Sequence, residues 1–94
     1  MPQNTTIHIP GGAWVPLTDA DVTAITFQNV GINFVFIKAT TDTTAPTTTA
    51  GSIRYNPGQG ERNVAMSDLF PGVSGGDRLW AYAGQPTDVF VSHA

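Results

Sequence analysis

The feature that most constrains this 94-residue chain is how often it is interrupted: ten glycines and seven prolines recur at short intervals. Proline removes a backbone donor and clashes inside a helix, and glycine loses conformational entropy there, so long helices have little room. Between the interruptions Val, Ile, Thr and aromatic residues dominate, and only three leucines occur, which is the composition of short strands. The chain therefore reads as all-β: a small single-domain β-sandwich or partly open barrel of about seven short antiparallel strands spanning residues 1–94. No internal repeat and no domain boundary is visible. A domain of this size buries only about 60–65% of its unfolded surface, so its core is small.

Along the chain, residues 5–9 read as a short strand closed by Pro10-Gly11-Gly12, and residues 14–17 as a second, held to an edge or bulge by Pro16. Residues 1–14, rich in Gln, Asn, Thr and Gly, are expected to form an extended N-terminal arm, with residues 15–94 as the core. Residues 22–29 alternate, with Thr23, Ile25 and Phe27 on one face and Ala24, Thr26 and Gln28 on the other, the pattern of a half-buried strand. The run Phe34-Val35-Phe36-Ile37 has no polar partner, so both of its faces call for cover. Residues 40–50 are almost only Thr, Asp, Ala and Pro and read as a Thr-rich surface loop. Strands are expected at 52–56 and 61–65. Ser67-Asp68-Leu69-Phe70-Pro71-Gly72 then supplies one helical turn that plugs an end of the sandwich, with Ser67 as its cap, and residues 78–83 and 87–92 are the last strands.

Composition excludes several function classes. Without cysteine there is no disulfide framework and no thiolate metal site. Four Lys and Arg against seven Asp and Glu leave a net charge of −3, with no basic footprint for nucleic acid. The N-terminus lacks a signal-peptide pattern and no run of apolar residues is long enough to span a bilayer, so a soluble protein made in the cytoplasm, with no membrane partner, is expected. Only 12% of residues are charged while Thr supplies thirteen, so much of the surface is neutral and hydroxylated, which suits packing against another protein.

No constellation of catalytic residues stands out. His8 and His93 lie near opposite ends, without a cysteine or second histidine nearby, and read as surface or edge residues. Asp19 and Asp21 suit turn capping better than calcium, and the glycines lack the spacing and the lysine of a phosphate loop. No catalytic, metal or cofactor residue is assigned, and no enzymatic activity is expected. The aromatic residues carry more. Trp80 and Tyr82 share a strand face and, with Trp14, fit a core, a protein interface or a sugar-stacking platform. Phe34 and Phe36 on one face, with Val35 and Ile37 on the other, exceed what so small a chain covers by itself, and oligomerisation supplies the missing layer. Arg54, Arg62 and Arg78 sit near turns, solvated or paired with Glu61, Asp68 or Asp77 within or between subunits.

From residue 22 onward the chain resembles small structural proteins of tailed bacteriophages. The resemblance rests on Ile25-Thr26-Phe27-Gln28-Asn29, Ile37-Lys38-Ala39-Thr40, Pro57-Gly58-Gln59-Gly60-Glu61-Arg62, Leu69-Phe70-Pro71-Gly72, Arg78-Leu79-Trp80-Ala81-Tyr82 and Val91-Ser92-His93-Ala94. It implies a non-enzymatic virion component on the outer surface of the head. Foremost is a capsid decoration or cement protein that oligomerises, with a trimer favoured, and stabilises the head by bridging major capsid protein subunits. A head or tail spike base, another tail component, and a carbohydrate or host-surface binding module are the alternatives. Phe34, Phe36, Trp80, Tyr82, Trp14, Arg54, Arg62 and Arg78 are then the candidates for subunit or capsid contacts.

Overall fold

The computed structural model describes residues 2–94. Eight strands and one short helix follow the chain: β1 Gln3–Ile9, β2 Trp14–Pro16, β3 Ala24–Asn29, β4 Val35–Thr40, β5 Ile53–Tyr55, β6 Gly60–Ala65, α1 Met66–Leu69, β7 Arg78–Tyr82 and β8 Thr87–His93. Two four-stranded sheets result, in the orders β1-β8-β3-β6 and β2-β7-β4-β5, and every strand pair is antiparallel. That interleaved order over two packed sheets is the jelly-roll arrangement of a β-sandwich, a double Greek key. The partly open barrel is not the form adopted. No helix among the described residues is long and apolar enough to cross a membrane.

The core follows from strand periodicity. Alternate side chains point to opposite faces, so Ile25, Phe27 and Asn29 of β3 and Val89 and Val91 of β8 face inward with Ile9 of β1. Val35, Ile37 and Ala39 of β4 meet them from the other sheet, with Leu79 and Ala81 of β7, and all of these residues are buried. Burying each large aliphatic side chain contributes about 1.5–3 kcal/mol. The helical turn closes one end with Met66 and Phe70, but its cap position is Ala65 without a side-chain bond, so Ser67 does not cap it.

Residues 2–14 depart from the arm expected over 1–14, of which Met1 lies outside the described residues. The segment is extended, yet it belongs to the sandwich: Gln3 to Ile9 pair in register with His93 to Thr87 of β8, and Trp14 opens β2. The polar run Asn4-Thr5-Thr6 hides the apolar residues at Ile7 and Ile9, which are enough to seat the strand over Val89 and Thr87. Residues 40–50 form the expected surface loop, exposed apart from Thr40 and Pro46.

One buried polar side chain ties the sheets together. Asn29, 1% exposed, donates from Nδ2 to Asn33 O (2.7 Å) and Tyr55 O (3.2 Å) and accepts at Oδ1 from Gly31 N (3.1 Å) and Thr87 Oγ1 (3.0 Å). It thus joins β3 and β8 of one sheet to β5 of the other. Gly31 is confined to glycine here, because a Cβ would collide with Thr87 Oγ1 and Asp88 N. Beside this junction Phe27 and Tyr55 meet edge to face at 5.0 Å across the sheets. Tyr55 Oη donates to Glu61 Oε2 at 3.1 Å. Burial, then the charge of Glu61 and the hydrogen bond to it, push the Tyr55 phenol well above its usual pKa.

Two outcomes follow. Asn29→Ala leaves buried donors and acceptors on both sheets unpaired and should lower stability by about 2–4 kcal/mol, read as a shifted urea midpoint with an unchanged slope. The Tyr55 phenol keeps its proton in the folded chain while the unfolded phenol loses it near pH ~10, so above that pH the unfolded state binds fewer protons and stability falls as pH rises. Tyr55→Phe should remove that part of the alkaline slope while costing about 1 kcal/mol at neutral pH through the lost hydrogen bond, measured by urea unfolding across pH.

Candidate functional site

The outward face of the sheet β2-β7-β4-β5 is built by register. Trp14 of β2 stands opposite Tyr82 of β7, Tyr82 opposite Phe36 of β4, and Phe36 opposite Arg54 of β5. Opposed residues of antiparallel strands point to the same face, so these four side chains form one row across the whole sheet, about 14 Å wide at the usual strand spacing. Phe34 extends the row at its β4–β5 end, 5.5 Å from Phe36 in an edge-to-face pair. Arg54 lays its guanidinium 4.3 Å over the Phe34 ring, a cation–π contact. At the other end Trp14 and Tyr82 lie 5.4 Å apart with their planes tilted by 40°.

A second row, Pro16, Trp80 and Lys38, runs parallel to the first. Here the surface loop provides cover. Trp80 is only 7% exposed although it faces away from the core cluster, and its indole N–H donates to Thr40 Oγ1 at 2.8 Å. Lys38 Nζ reaches Thr48 O at 3.4 Å, and Asp42 Oδ1 accepts from Thr44 N at 2.9 Å to shape the loop. Between loop and sheet remains a groove of about 200 Å³ lined by Pro16, Thr18, Thr43, Arg78 and Trp80. The loop thus divides the face into a covered half at Trp80 and a more open half, where Trp14, Tyr82 and Phe36 are half-buried and Phe34 is exposed.

The apolar surface continues past the open half onto the β3–β4 turn, where Val30, Ile32 and Phe34 are 49%, 86% and 37% exposed. The outward face of the other sheet is different in kind. Asn4, Thr6 and His8 of β1 oppose Ser92, Phe90 and Asp88 of β8, and Thr26 and Gln28 follow on β3. His8 pairs with Asp88 at 2.8 Å, both exposed. Phe90 is the only large apolar side chain among these and lies at the wall of a shallow cleft with Thr26, Gln28, Glu61 and Arg62.

The residues singled out from sequence are therefore only partly brought together. Trp14, Phe34, Phe36, Tyr82 and Arg54 share the open row, and Trp80 lies beneath the loop on the same face. Arg78 stands at the far end of that sheet and pairs with Asp21 at 2.6 Å, not with Glu61, Asp68 or Asp77, because the β2–β3 connection folds back over the start of β7. Arg62 belongs to β6 of the other sheet, away from the row. His93 is corrected as well. It faces inward on a central strand with its side chain fully covered, Nε2 at 2.9 Å from Gln3 Oε1 and Nδ1 at 3.0 Å from Ala94 O. Asp19 lies 3.5 Å from it. Sequence reading passed over Ile32, whose place between Gly31 and Asn33 at a turn is itself a signal of an exposed apolar tip. Among the described residues no three His, Cys, Asp or Glu side chains gather where they could hold a metal ion.

Trp14 and Trp80 are the only tryptophans, and their surroundings differ enough to be read directly. The Trp14→Phe variant, which retains only Trp80, should show bluer emission and much weaker acrylamide quenching than Trp80→Phe, which retains only Trp14. No family model matches the chain, and no curated protein and no solved structure matches it either.

Proposed function

We propose that this protein is a non-enzymatic structural component of a phage virion, a decoration or cement protein that docks on the head and bridges major capsid protein subunits as a homo-oligomer. The observation that carries the reading is the contrast between the two outer faces: one sheet presents a row of aromatic rings, and the other presents Thr, Asn, Gln and an exposed ion pair. Aromatic residues and Arg are the side chains enriched in protein interfaces and at their hot spots. Support also comes from the sequence resemblance and from the jelly-roll topology, which viral capsid domains use, although the same topology serves lectins and does not select a function.

The geometry favours a protein over a sugar on this face. Stacking a sugar needs a free, level ring face, whereas Phe34 and Phe36 stand nearly perpendicular, at 85°, and Arg54 occupies the face of Phe34. A standard interface buries roughly 800 Å² per partner, more than a row about 14 Å wide supplies, so the contact takes in the apolar tip at Val30 and Ile32. Docking to the assembled shell and not to its free subunits adds a mass-action term in favour of the intact head, about 2.7 kcal/mol per site at one hundred times the dissociation constant.

Phe36 lies outside the core cluster, so Phe36→Asp is expected to fold with a stability loss of about 1 kcal/mol and to bind undecorated heads at least tenfold more weakly than the parent, about the effect of losing one interface hot spot. Co-sedimentation with heads, alongside circular dichroism of the free protein, measures both. A variant that binds heads as the parent does, or a parent that ignores heads while a glycan shields Trp14 and Tyr82 from chemical footprinting, would overturn the reading.

A further inference from the structure

Two four-stranded sheets have four edges, and three of them are guarded against pairing with another chain. The β2 edge is three residues long and contains Pro16. The β5 edge is also three residues long and carries Arg54. On β6 the register shifts opposite Ile25 and Phe27, Asn63 takes a left-handed φ of 47°, and Glu61 and Arg62 add charge. Short length, proline, charge and bulges are the devices by which sheet edges avoid joining. The β1 edge has none of them. Its seven residues, Gln-Asn-Thr-Thr-Ile-His-Ile, run in unbroken register with β8, and they contain no proline, glycine, lysine, arginine or carboxylate.

The sandwich is also open along this edge. Thr5 faces inward with Gln3, Ile7 and Ile9, by its register opposite the buried Val91, yet it is exposed, and Ile7 is only half-buried. The other sheet ends in β2, too short to cover them, so the inner side of β1 lacks part of its second layer.

We propose that two copies of this chain pair antiparallel through β1 across a two-fold axis at Thr6. The strand is self-complementary in that register: Thr6 meets its own symmetry mate, Asn4 meets His8, Thr5 meets Ile7 and Gln3 meets Ile9. No like charges are opposed, and Thr–Thr and β-branched pairs are favourable cross-strand neighbours. The same patch on both subunits is what a two-fold contact requires. The axis stands normal to the sheet, so β1-β8-β3-β6 continues into its copy as eight strands, and both β2-β7-β4-β5 sheets lie on the same side of it. Their aromatic faces then look in one direction. The pairing stands on the edge alone; joined to the capsid reading, it gives a cement unit two docking faces for two neighbouring shell subunits. One strand pair is a narrow contact, so the dimer is a reversible one.

A charge swap tests the axis directly. Sedimentation of the purified protein over a concentration series should show a dimer of twice 9.9 kDa. Thr6 is exposed on the outer face, so Thr6→Lys and Thr6→Glu should keep the parent's circular dichroism and thermal midpoint. Each should self-associate about tenfold more weakly at low salt, because like charges meet at the axis. Mixing the two variants should restore association to the parent's level or above. A parent that stays monomeric, an oligomer that ignores both substitutions, or a mixture that fails to recover would each overturn the proposal. Heads are absent from this experiment and Thr6 is remote from the aromatic row, so its failure leaves head docking through that row standing, while a monomeric parent also removes the homo-oligomer from the capsid reading; loss of head binding by Phe36→Asp leaves the dimer standing.

Discussion

The placement of the two sheets against each other depends on one buried amide, that of Asn29. Two small sheets held only by aliphatic contact can slide over one another, because dispersion and the hydrophobic effect have little directional preference. Asn29 removes that freedom. Its Nδ2 reaches Tyr55 O on the opposite sheet, while Oδ1 holds Thr87 on the neighbouring strand and the turn at Gly31. A fully satisfied buried polar group specifies one arrangement, because every shifted arrangement leaves it unpaired in a low dielectric. The β3–β4 turn is fixed by the same contacts, and that turn sets where β4 begins and so which way Phe34 and Phe36 point.

The aromatic row inherits its order from this register. In a sheet with one buried face, slipping a strand by one residue turns its whole outward set inward. Once Val35 and Ile37 are committed to the core, Phe36 must face out, and pairing with β7 places Tyr82 beside it and Trp14 beyond. Thr40, at the end of β4, then gives the Trp80 indole N–H its acceptor, and the loop that follows brings Thr43 to the groove beside it. What remains uncovered is a bounded apolar surface on one side of the molecule, ending at Ile32.

The asymmetry of faces and the asymmetry of edges point to association in different directions. The aromatic face offers side chains and suits a partner of complementary shape. The β1 edge offers backbone donors and acceptors, which accept any strand of compatible side chains and therefore must be either guarded or used. With β1 beside β8, the two ends of the described chain lie together, at Gln3 and His93.

Much of the fold was legible in local pattern. Gly and Pro marked the turns, alternation marked the inward residues of β3, and the composition of residues 40–50 marked the loop, because backbone sterics and period-2 side-chain geometry act over a few residues. It was also legible that Phe34 and Phe36 exceed what the core absorbs. The sequence could not show that residues 3–9 pair with the far end of the chain, that Trp80 is buried while Trp14 is half-exposed, that Arg78 finds Asp21, or that His93 turns inward. Each of these is a contact between segments distant in the chain, chosen by the free energy of the whole packed sandwich. Local chemistry determined which residues are strands and which face each one turns to the core; only the tertiary structure decided which strands are neighbours, and therefore which outward side chains meet to make a surface.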